Sequence, residues 1–310
     1  MFGIPQYSFY VALLVLAILV LSTVNCAVLV ALKPDKDFSE LRLRIYSWWW
    51  MVALLFAVLL FNRTVSLCFF AFLSFLTLKE FLSIVPTRHV DRRAIFWAYL
   101  SIPLQYYWIG IQWYGMFIIF IPVYVFLFLP MRMVLIGETK GFVRSVGIIH
   151  WATMLSVYCI GHIAFLMMLP VKNPSAGYMG PVLFLIFITQ FNDVCQYTWG
   201  KLFGKHKILP KVSPKKTWEG FIGGMFTVIL CSSLVAPLLT PLSREQGIVA
   251  GLIISVAGFI GDVVISSVKR DLGIKDSGQL IPGHGGILDR LDSLLYASPL
   301  FFHYLYYVCY

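Results

Sequence analysis

Charged residues are scarce in this sequence: they make up 12% of its 310 residues, while hydrophobic residues make up 60%. A water-soluble domain usually carries about 25% charged residues. The shortage therefore excludes an ordinary soluble domain. Together with a mean hydropathy of +0.84, it indicates an integral membrane protein.

Cysteine and acidic residues are also sparse. The six cysteines are scattered without paired spacing, which argues against a disulfide framework or a zinc site. Only 14 acidic residues stand against 24 basic ones, and the net charge of +10 would also suit a nucleic-acid-binding protein. In a chain with many membrane spans, such an excess more often reflects basic loops beside an anionic membrane surface. We therefore predict no nucleic-acid partner.

Long apolar stretches dominate what is present, and a helix needs about 20 apolar residues to cross the hydrocarbon core. We predict an all-α, polytopic membrane protein with nine or ten transmembrane helices, since the short second stretch is not certain to be a full crossing. The first stretch lacks a basic leader and a cleavage site, so it is predicted to be a retained helix. The predicted spans are 8–31, 46–61, 64–84, 94–112, 116–135, 146–169, 178–199, 219–240, 247–268 and 289–308.

The basic residues predict the orientation of these spans. All lysines and arginines except Arg63, Lys172 and Arg244 fall in one alternating set of loops. Basic loops stay in the cytoplasm. Both termini are therefore predicted to lie outside, with the basic loops facing the cytoplasm, and we expect the bacterial inner membrane.

Residues 1–175 carry no motif beyond hydrophobic spans and are predicted to be a transmembrane scaffold, with lipid or dimer contacts left open. Glu80 is the one acid there at membrane depth. An acid at that depth is often functional, but Lys79 and nearby loop bases would also pair it, so both interpretations stay open. The catalytic region is predicted to be residues 176–310, with cytoplasmic loops 200–218 and 269–288.

The most informative stretch is residues 261–292. Asp262 is followed by Ser266, Lys269 and Arg270 at offsets of four, seven and eight, which places all four on one face of a helix. Such a face presents a deep acid below two bases near the helix end.

A polar loop and two further acids complete this stretch. Lys275 and Asp276 precede the glycine-rich turn 282–286, which lets backbone approach a ligand closely. Asp289 and Asp292 then share a face of the next span. Carboxylates hold Mg²⁺, while cations and backbone amides hold phosphate oxygens, so the pattern favours a metal-bound polyphosphate.

Two preceding segments carry related chemistry. Asp193 lies in the middle of the seventh span with Gln196, Tyr197 and Gly200 on the same face, and a second acid at similar depth in the ninth span favours a functional role. The block at 213–220 reads S-P-K-K-T-W-E-G and begins a helix, where small residues and lysines are typical of phosphate binding. For Lys205, Lys207 and Lys211 of the same loop, a purely topological role is sufficient.

The stretch 267–292 resembles the phosphatidate cytidylyltransferase (CDP-diacylglycerol synthase) signature position by position. The matching residues are Ser267-Val268-Lys269-Arg270, Lys275-Asp276, Pro282, and the run H-G-G-I-L-D-R-L-D over 284–292. The block at 213–220 resembles a second conserved region, so the resemblance covers about residues 180–292. It implies conversion of CTP and phosphatidate to CDP-diacylglycerol and pyrophosphate.

The residues and this resemblance together define a predicted site. Predicted catalytic residues are Asp262, Asp289, Lys269, Arg270 and His284, although a turn-stabilising role for His284 is left open. Predicted substrate-binding residues are Ser213, Lys215, Lys216, Thr217, Lys275, Asp276, Gly285, Gly286 and Arg290. Predicted metal ligands are Asp262, Asp289, Asp193 and Asp292. We expect Mg²⁺, with a second ion, divalent or K⁺, left open.

The predicted partners are CTP, phosphatidate or a similar lipid phosphate, and membrane lipids; a homodimer is left open. A paralogue acting on another lipid phosphate and a CTP-dependent lipid-alcohol kinase remain alternatives. A cation-coupled transporter would also carry intramembrane acids. It should show inverted repeats, and the two halves of this sequence show no such similarity.

Overall fold

The computed structural model describes residues 5–33, 37–283 and 285–310. Over these residues the chain is mostly helical and contains ten long helices. They are α1 Gln6–Leu32, α2 Ser39–Phe61, α3 Arg63–Ile84, α4 Arg92–Gly110, α5 Tyr114–Val134, α6 Phe142–Met168, α7 Gly180–Phe203, α8 Trp218–Leu239, α9 Arg244–Asp271 and α10 Leu288–Cys309. Each predicted span corresponds to one of them.

Seven of the ten helices are long and apolar enough to cross a membrane: α1, α2, α3, α5, α6, α8 and α9. The other three are α4, α7 and α10. Helix α4 begins with two arginines, whereas α7 and α10 carry the acidic residues of the predicted site. The chain is an integral membrane protein with a mainly α-helical fold, while the predicted number of crossings and their orientation stay predictions.

Helix α2 differs from its predicted length. The predicted span covers residues 46–61, but the helix begins at Ser39 and has 23 residues. Its first turns carry charged and apolar residues alternately, so hydropathy alone does not detect them.

The helical fold also contains one short hairpin that was not predicted from the sequence. The loop between α7 and α8 contains two short antiparallel strands, β1 Lys207–Leu209 and β2 Ser213–Thr217. Glu219, in the first turn of α8, fastens this hairpin: its carboxyl group accepts bonds from the backbone N–H of Lys205 at 3.0 Å and lies 2.6 Å from Nδ1 of His206. The hairpin therefore has a defined position against α8.

Helices α7 and α8 pack closely because glycine lines their contact. A Cβ atom on Gly220 would lie 2.7 Å from the carbonyl oxygen of Gln196, and one on Gly224 would lie 2.8 Å from the Gln196 backbone nitrogen. Neither distance is sterically allowed. The glycines after the 213–217 block thus have a packing role, which differs from the phosphate-binding role suggested by sequence.

Helices α9 and α10 make a similarly close contact. A Cβ atom on Gly261 would lie 2.3 Å from the carbonyl oxygen of Asp292. This approach brings the turn of α9 that bears Asp262 beside the turn of α10 that bears Asp292.

Helix α6 lies at the centre of the bundle, since 83% of the residues in its most apolar stretch are buried. The same share is 11% for α1 and for α2, which lie at the periphery.

Candidate active site

Two neighbouring cavities lie at the end of the bundle where α9 ends and α10 begins. The larger has a volume of about 880 Å³ and is lined by α2, α7, the 275–285 loop and Arg290 of α10. The smaller, of about 200 Å³, is lined by α7, β2, α8 and α9. Asp193 and Tyr197 of α7 line both, so the two cavities meet at these side chains.

Three acids from three helices cluster at this junction. The carboxyl groups of Asp193, Asp262 and Asp292 are close enough to interact electrostatically with one another. Lys216 of β2 places its Nζ 2.7 Å from Oδ2 of Asp262, and the hydroxyl of Ser266 donates to Oδ1 at 3.2 Å. Acids from α7, α9 and α10 therefore lie near one another, whereas the predicted approach of Asp262 to Asp289 stays a prediction.

Asp289 has a different set of partners. Its Oδ1 lies 2.7 Å from Nζ of Lys269, and both side chains are largely buried. Its Oδ2 accepts bonds from the backbone N–H groups of Ser277 at 2.7 Å and Gly286 at 3.0 Å. Gly285 is in the left-handed region with φ of 79°, and a Cβ there would lie 2.6 Å from Oδ2. Asp289 thus holds the glycine turn in place against α9.

Glu80 of α3, whose role the sequence left open, also binds this turn. Its Oε2 accepts the backbone N–H of Ile287 at 2.9 Å, and Oε1 accepts that of Leu288 at 2.9 Å. The hydroxyl of Ser277 donates to the same Oε1. The first N–H groups of a helix have no intrahelical partner, so Glu80 caps α10 from another part of the chain.

Helix α2 holds the same loop from another side. The hydroxyl of Ser47 donates to the carbonyl oxygen of Pro282 at 2.6 Å, and a Cβ on Gly283 would lie 3.1 Å from Cβ of Leu43. Residues 1–175 were predicted to be a scaffold, and the division at 175 stays a prediction. The contacts of α2 and α3 nevertheless reach the loop of the predicted site.

The remaining predicted residues fall into three groups. Ser213, Lys215, Lys216 and Thr217 line the smaller cavity, and Thr217 also caps α8 by accepting the N–H of Gly220 at 3.2 Å. Lys275, Asp276, Gly285 and Arg290 line the larger cavity. Arg270 instead donates to the carbonyl oxygens of Val212 at 3.3 Å and Ile274 at 3.1 Å. His284 lies outside the described residues.

The fit of these residues to a metal ion depends on their donor atoms. Within the described ranges, no group of three or more His, Cys, Asp or Glu side chains is positioned to hold an ion. Carboxylate oxygens are nevertheless the ligands that Mg²⁺ prefers. Asp193 interacts with the cations Lys216 and Arg290, and Asp262 pairs with Lys216. The donor chemistry fits Mg²⁺, and the sharing of an ion by Asp262 and Asp289 stays a prediction.

A bundle of apolar helices with buried acids and bases around two joined cavities defines a class of protein, the integral membrane proteins that bind charged ligands at one end of their helices. Comparison with known proteins refines this class. The model of the cytidylyltransferase family matches residues 42–308, so the chain belongs to the cytidylyltransferase family. It is accordingly a nucleotidyltransferase of the membrane, and the predicted family resemblance is confirmed.

Individual relatives differ in how much of the chain they match. The uncharacterized protein YnbB of Escherichia coli is 44% identical over 294 residues, covering 95% of this chain and 97% of that protein. The phosphatidate cytidylyltransferases of Staphylococcus aureus and Staphylococcus epidermidis are each 40% identical over 153 residues, 47% of this chain. The chain thus spans about half, 55%, of the length of these enzymes.

Proposed function

We propose that this protein transfers the cytidylyl group of CTP to phosphatidate, forming CDP-diacylglycerol and pyrophosphate. The observation that carries the proposal is the meeting of two cavities at Asp193, one rich in lysine and the other open to the glycine turn. A nucleotide and a lipid phosphate must be bound side by side, and two joined cavities of unequal size suit that requirement. The staphylococcal relatives named phosphatidate cytidylyltransferase support the choice of reaction.

The chemistry requires the positioning of two anions rather than a strong base. A phosphate oxygen of the lipid attacks the α-phosphorus of CTP, a new P–O–P bond forms, and the bond to the β-phosphate breaks to release pyrophosphate. A phosphate monoester has a second pKa of about 6 and is therefore mostly dianionic near neutral pH. The barrier lies in bringing like charges together in line, which calls for fixed cations.

The basic residues have distinct roles in this proposal. Lys215 and Lys216 in the smaller cavity bind phosphate oxygens of the nucleotide, while Lys275 and Arg290 in the larger one bind phosphate on the opposite side of Asp193. Lys269 holds Asp289, and through it the glycine turn. Each contact draws negative charge toward a fixed cation and so favours the crowded transition state.

Asp193, Asp262, Asp289 and Asp292 are the Mg²⁺ ligands predicted from sequence, and within the described residues no three of them are already positioned around an ion. When bound, the ion neutralises phosphate charge and orients the triphosphate. Lys216, whose Nζ lies 2.7 Å from Asp262 Oδ2, would be available to a substrate phosphate if Asp262 held the ion. We place this end of the bundle on the cytoplasmic side of a bacterial inner membrane, because its loops carry nearly all of the basic residues.

Isotope placement tests the reaction. Purified protein receives CTP labelled at the α- or the γ-phosphate, with phosphatidate or with diacylglycerol as acceptor. We expect α-label in lipid with phosphatidate only, and γ-label in pyrophosphate. Entry of γ-label into diacylglycerol would instead identify a lipid kinase, and the absence of label from every lipid would reject both reactions.

A different lipid phosphate is the second candidate acceptor. The observation that favours it is the limited coverage of the match to the staphylococcal phosphatidate cytidylyltransferases. That match covers 47% of the chain, whereas the match to YnbB covers 95%, so more than half of the chain has no counterpart in the alignment with the enzymes named for phosphatidate. The same assay run with a panel of lipid phosphates separates the two candidates. Transfer of α-label to another lipid phosphate but not to phosphatidate would establish this alternative.

A further inference from the structure

One face of α2 forms a wall of the larger cavity. Leu41, Arg44, Ile45 and Trp48 all line it. Their offsets of zero, three, four and seven are those of neighbours on one helical face. Leu41, Arg44 and Ile45 precede the predicted span 46–61, so neither the sequence motifs nor the site proposed above includes them.

This wall is attached to the loop opposite it. Ser47 is buried, and its hydroxyl donates a hydrogen bond to the carbonyl oxygen of Pro282. A Cβ on Gly283 would lie 3.2 Å from the backbone nitrogen of Arg44. The face of α2 is therefore held at a set distance from the loop that carries Lys275. A ligand between them contacts both surfaces.

The two sides of the cavity differ in chemistry. The α2 side offers the cation Arg44, paired with the acid Glu40, among the apolar side chains of Leu41, Ile45 and Trp48, whereas the loop side offers Lys275, Asp276 and Gln279. A nucleoside triphosphate is polar along its length and gains little from an apolar helical wall. A phosphate monoester attached to a glycerol and acyl chains matches one cation flanked by apolar residues.

Arg44 is available for such a ligand. Its Nη2 lies 2.5 Å from Oε1 of Glu40, but the two side chains are 54% and 74% exposed, and exposed ion pairs contribute little to stability. Phosphate offers a stronger, bidentate partner to a guanidinium. Arg290 also lines the cavity, and its buried Nε has no hydrogen-bond partner among the residues the structure describes.

We propose that the α2 wall binds the acceptor, a phosphate monoester on a glycerol-based lipid, with Arg44 as a phosphate ligand and Leu41, Ile45 and Trp48 beside its apolar part. This subsite deepens the proposed function and rests on it for the identity of the reaction. The physical claim, binding of a lipid phosphate at α2, is separable from turnover. It is tested by binding as well as by kinetics.

Arg44→Gln and Arg42→Gln form a matched pair. Arg42 lies on the same helix, is also exposed to solvent and is not among the residues that line the cavity. In nanodiscs, binding of a radiolabelled short-chain phosphatidate should weaken about tenfold or more in Arg44→Gln, the size expected for one charge-assisted contact. Arg42→Gln should bind like wild type. In turnover, Arg44→Gln should raise KM for the lipid and leave KM for CTP unchanged.

Competition separates lipid phosphate from simple anion binding. Unlabelled phosphatidate should displace the label, while diacylglycerol and inorganic phosphate at equal concentration should not. Equal binding by the three proteins would overturn the subsite, and so would displacement by inorganic phosphate as effective as that by lipid. If the proteins bind the lipid as expected but transfer no cytidylyl group, the proposed function fails and the α2 subsite stands.

Discussion

Substitution of Glu80 tests whether the N-terminal helices order the catalytic loop. Glu80→Ala removes the acceptor for the N–H groups of Ile287 and Leu288, and for the hydroxyl of Ser277. Because the alanine side chain leaves a space and no acceptor, the first turn of α10 loses its cap. The loop that carries Lys275 and the first turn of α10, which carries Arg290, then lose their attachment to α3.

The size of the effect follows from these bonds. Loss of a helix cap costs about 0.5–2 kcal/mol, and hydrogen bonds to a charged group contribute about 1.5–3 kcal/mol each. A combined loss of about 3 kcal/mol corresponds to roughly 100-fold in the equilibrium between ordered and disordered loop. We therefore expect kcat/KM to fall by about 10- to 100-fold. Glu80→Gln keeps one acceptor oxygen and should fall between wild type and Glu80→Ala.

Two measurements check this prediction together. Steady-state transfer of label from CTP gives kcat and KM, and hydrogen exchange reports the protection of the Ile287 and Leu288 amides. Lys79→Ala is the matched control, since Lys79 is the exposed neighbour of Glu80 on the same helix. Wild-type activity with unchanged protection in Glu80→Ala would refute the positioning role.

Three further predictions concern the site. Asp262→Asn or Asp289→Asn should leave the protein folded in the membrane but slow transfer by about 10²–10³-fold or more, by analogy with loss of one preorganised charge-stabilising group, and near-normal rates in both would contradict the metal assignment. Lys216→Ala should raise KM for a substrate phosphate, whereas Lys207→Ala should not; equal small effects would leave the loop with a topological role only. Gly285→Ala should destabilise the turn because its left-handed φ of 79° and the nearby Asp289 oxygen exclude a Cβ, and an unchanged melting temperature with full activity would show that the turn relaxes freely.

The sequence predicted the helices well because most of them are long apolar runs. All ten predicted spans overlap a helix of the structure. Asp193, Asp262 and Asp292, each named from sequence as a metal ligand, lie near one another in the fold. The hairpin at 207–217 was missed because two short strands in a lysine-rich loop leave no alternating apolar pattern. The start of α2 was missed because its charged residues alternate with apolar ones and interrupt the apolar run.

The contribution of the N-terminal half was not predictable from local patterns. Ser47 and Pro282 are separated by 235 positions, and Glu80 and Ile287 by 207. Each contact pairs a common side chain with a backbone group, which carries no signature in sequence. Only the isolated acid at membrane depth pointed to one of them.

Identification of the lipid product tests the central claim most directly. Purified protein in nanodiscs is supplied with CTP, Mg²⁺ and phosphatidate, and the lipids are analysed by mass spectrometry while pyrophosphate is measured in the same sample. The account predicts CDP-diacylglycerol and pyrophosphate in equal amounts, both lost in Asp262→Asn. Unchanged phosphatidate, or nucleoside diphosphate in place of pyrophosphate, would contradict it.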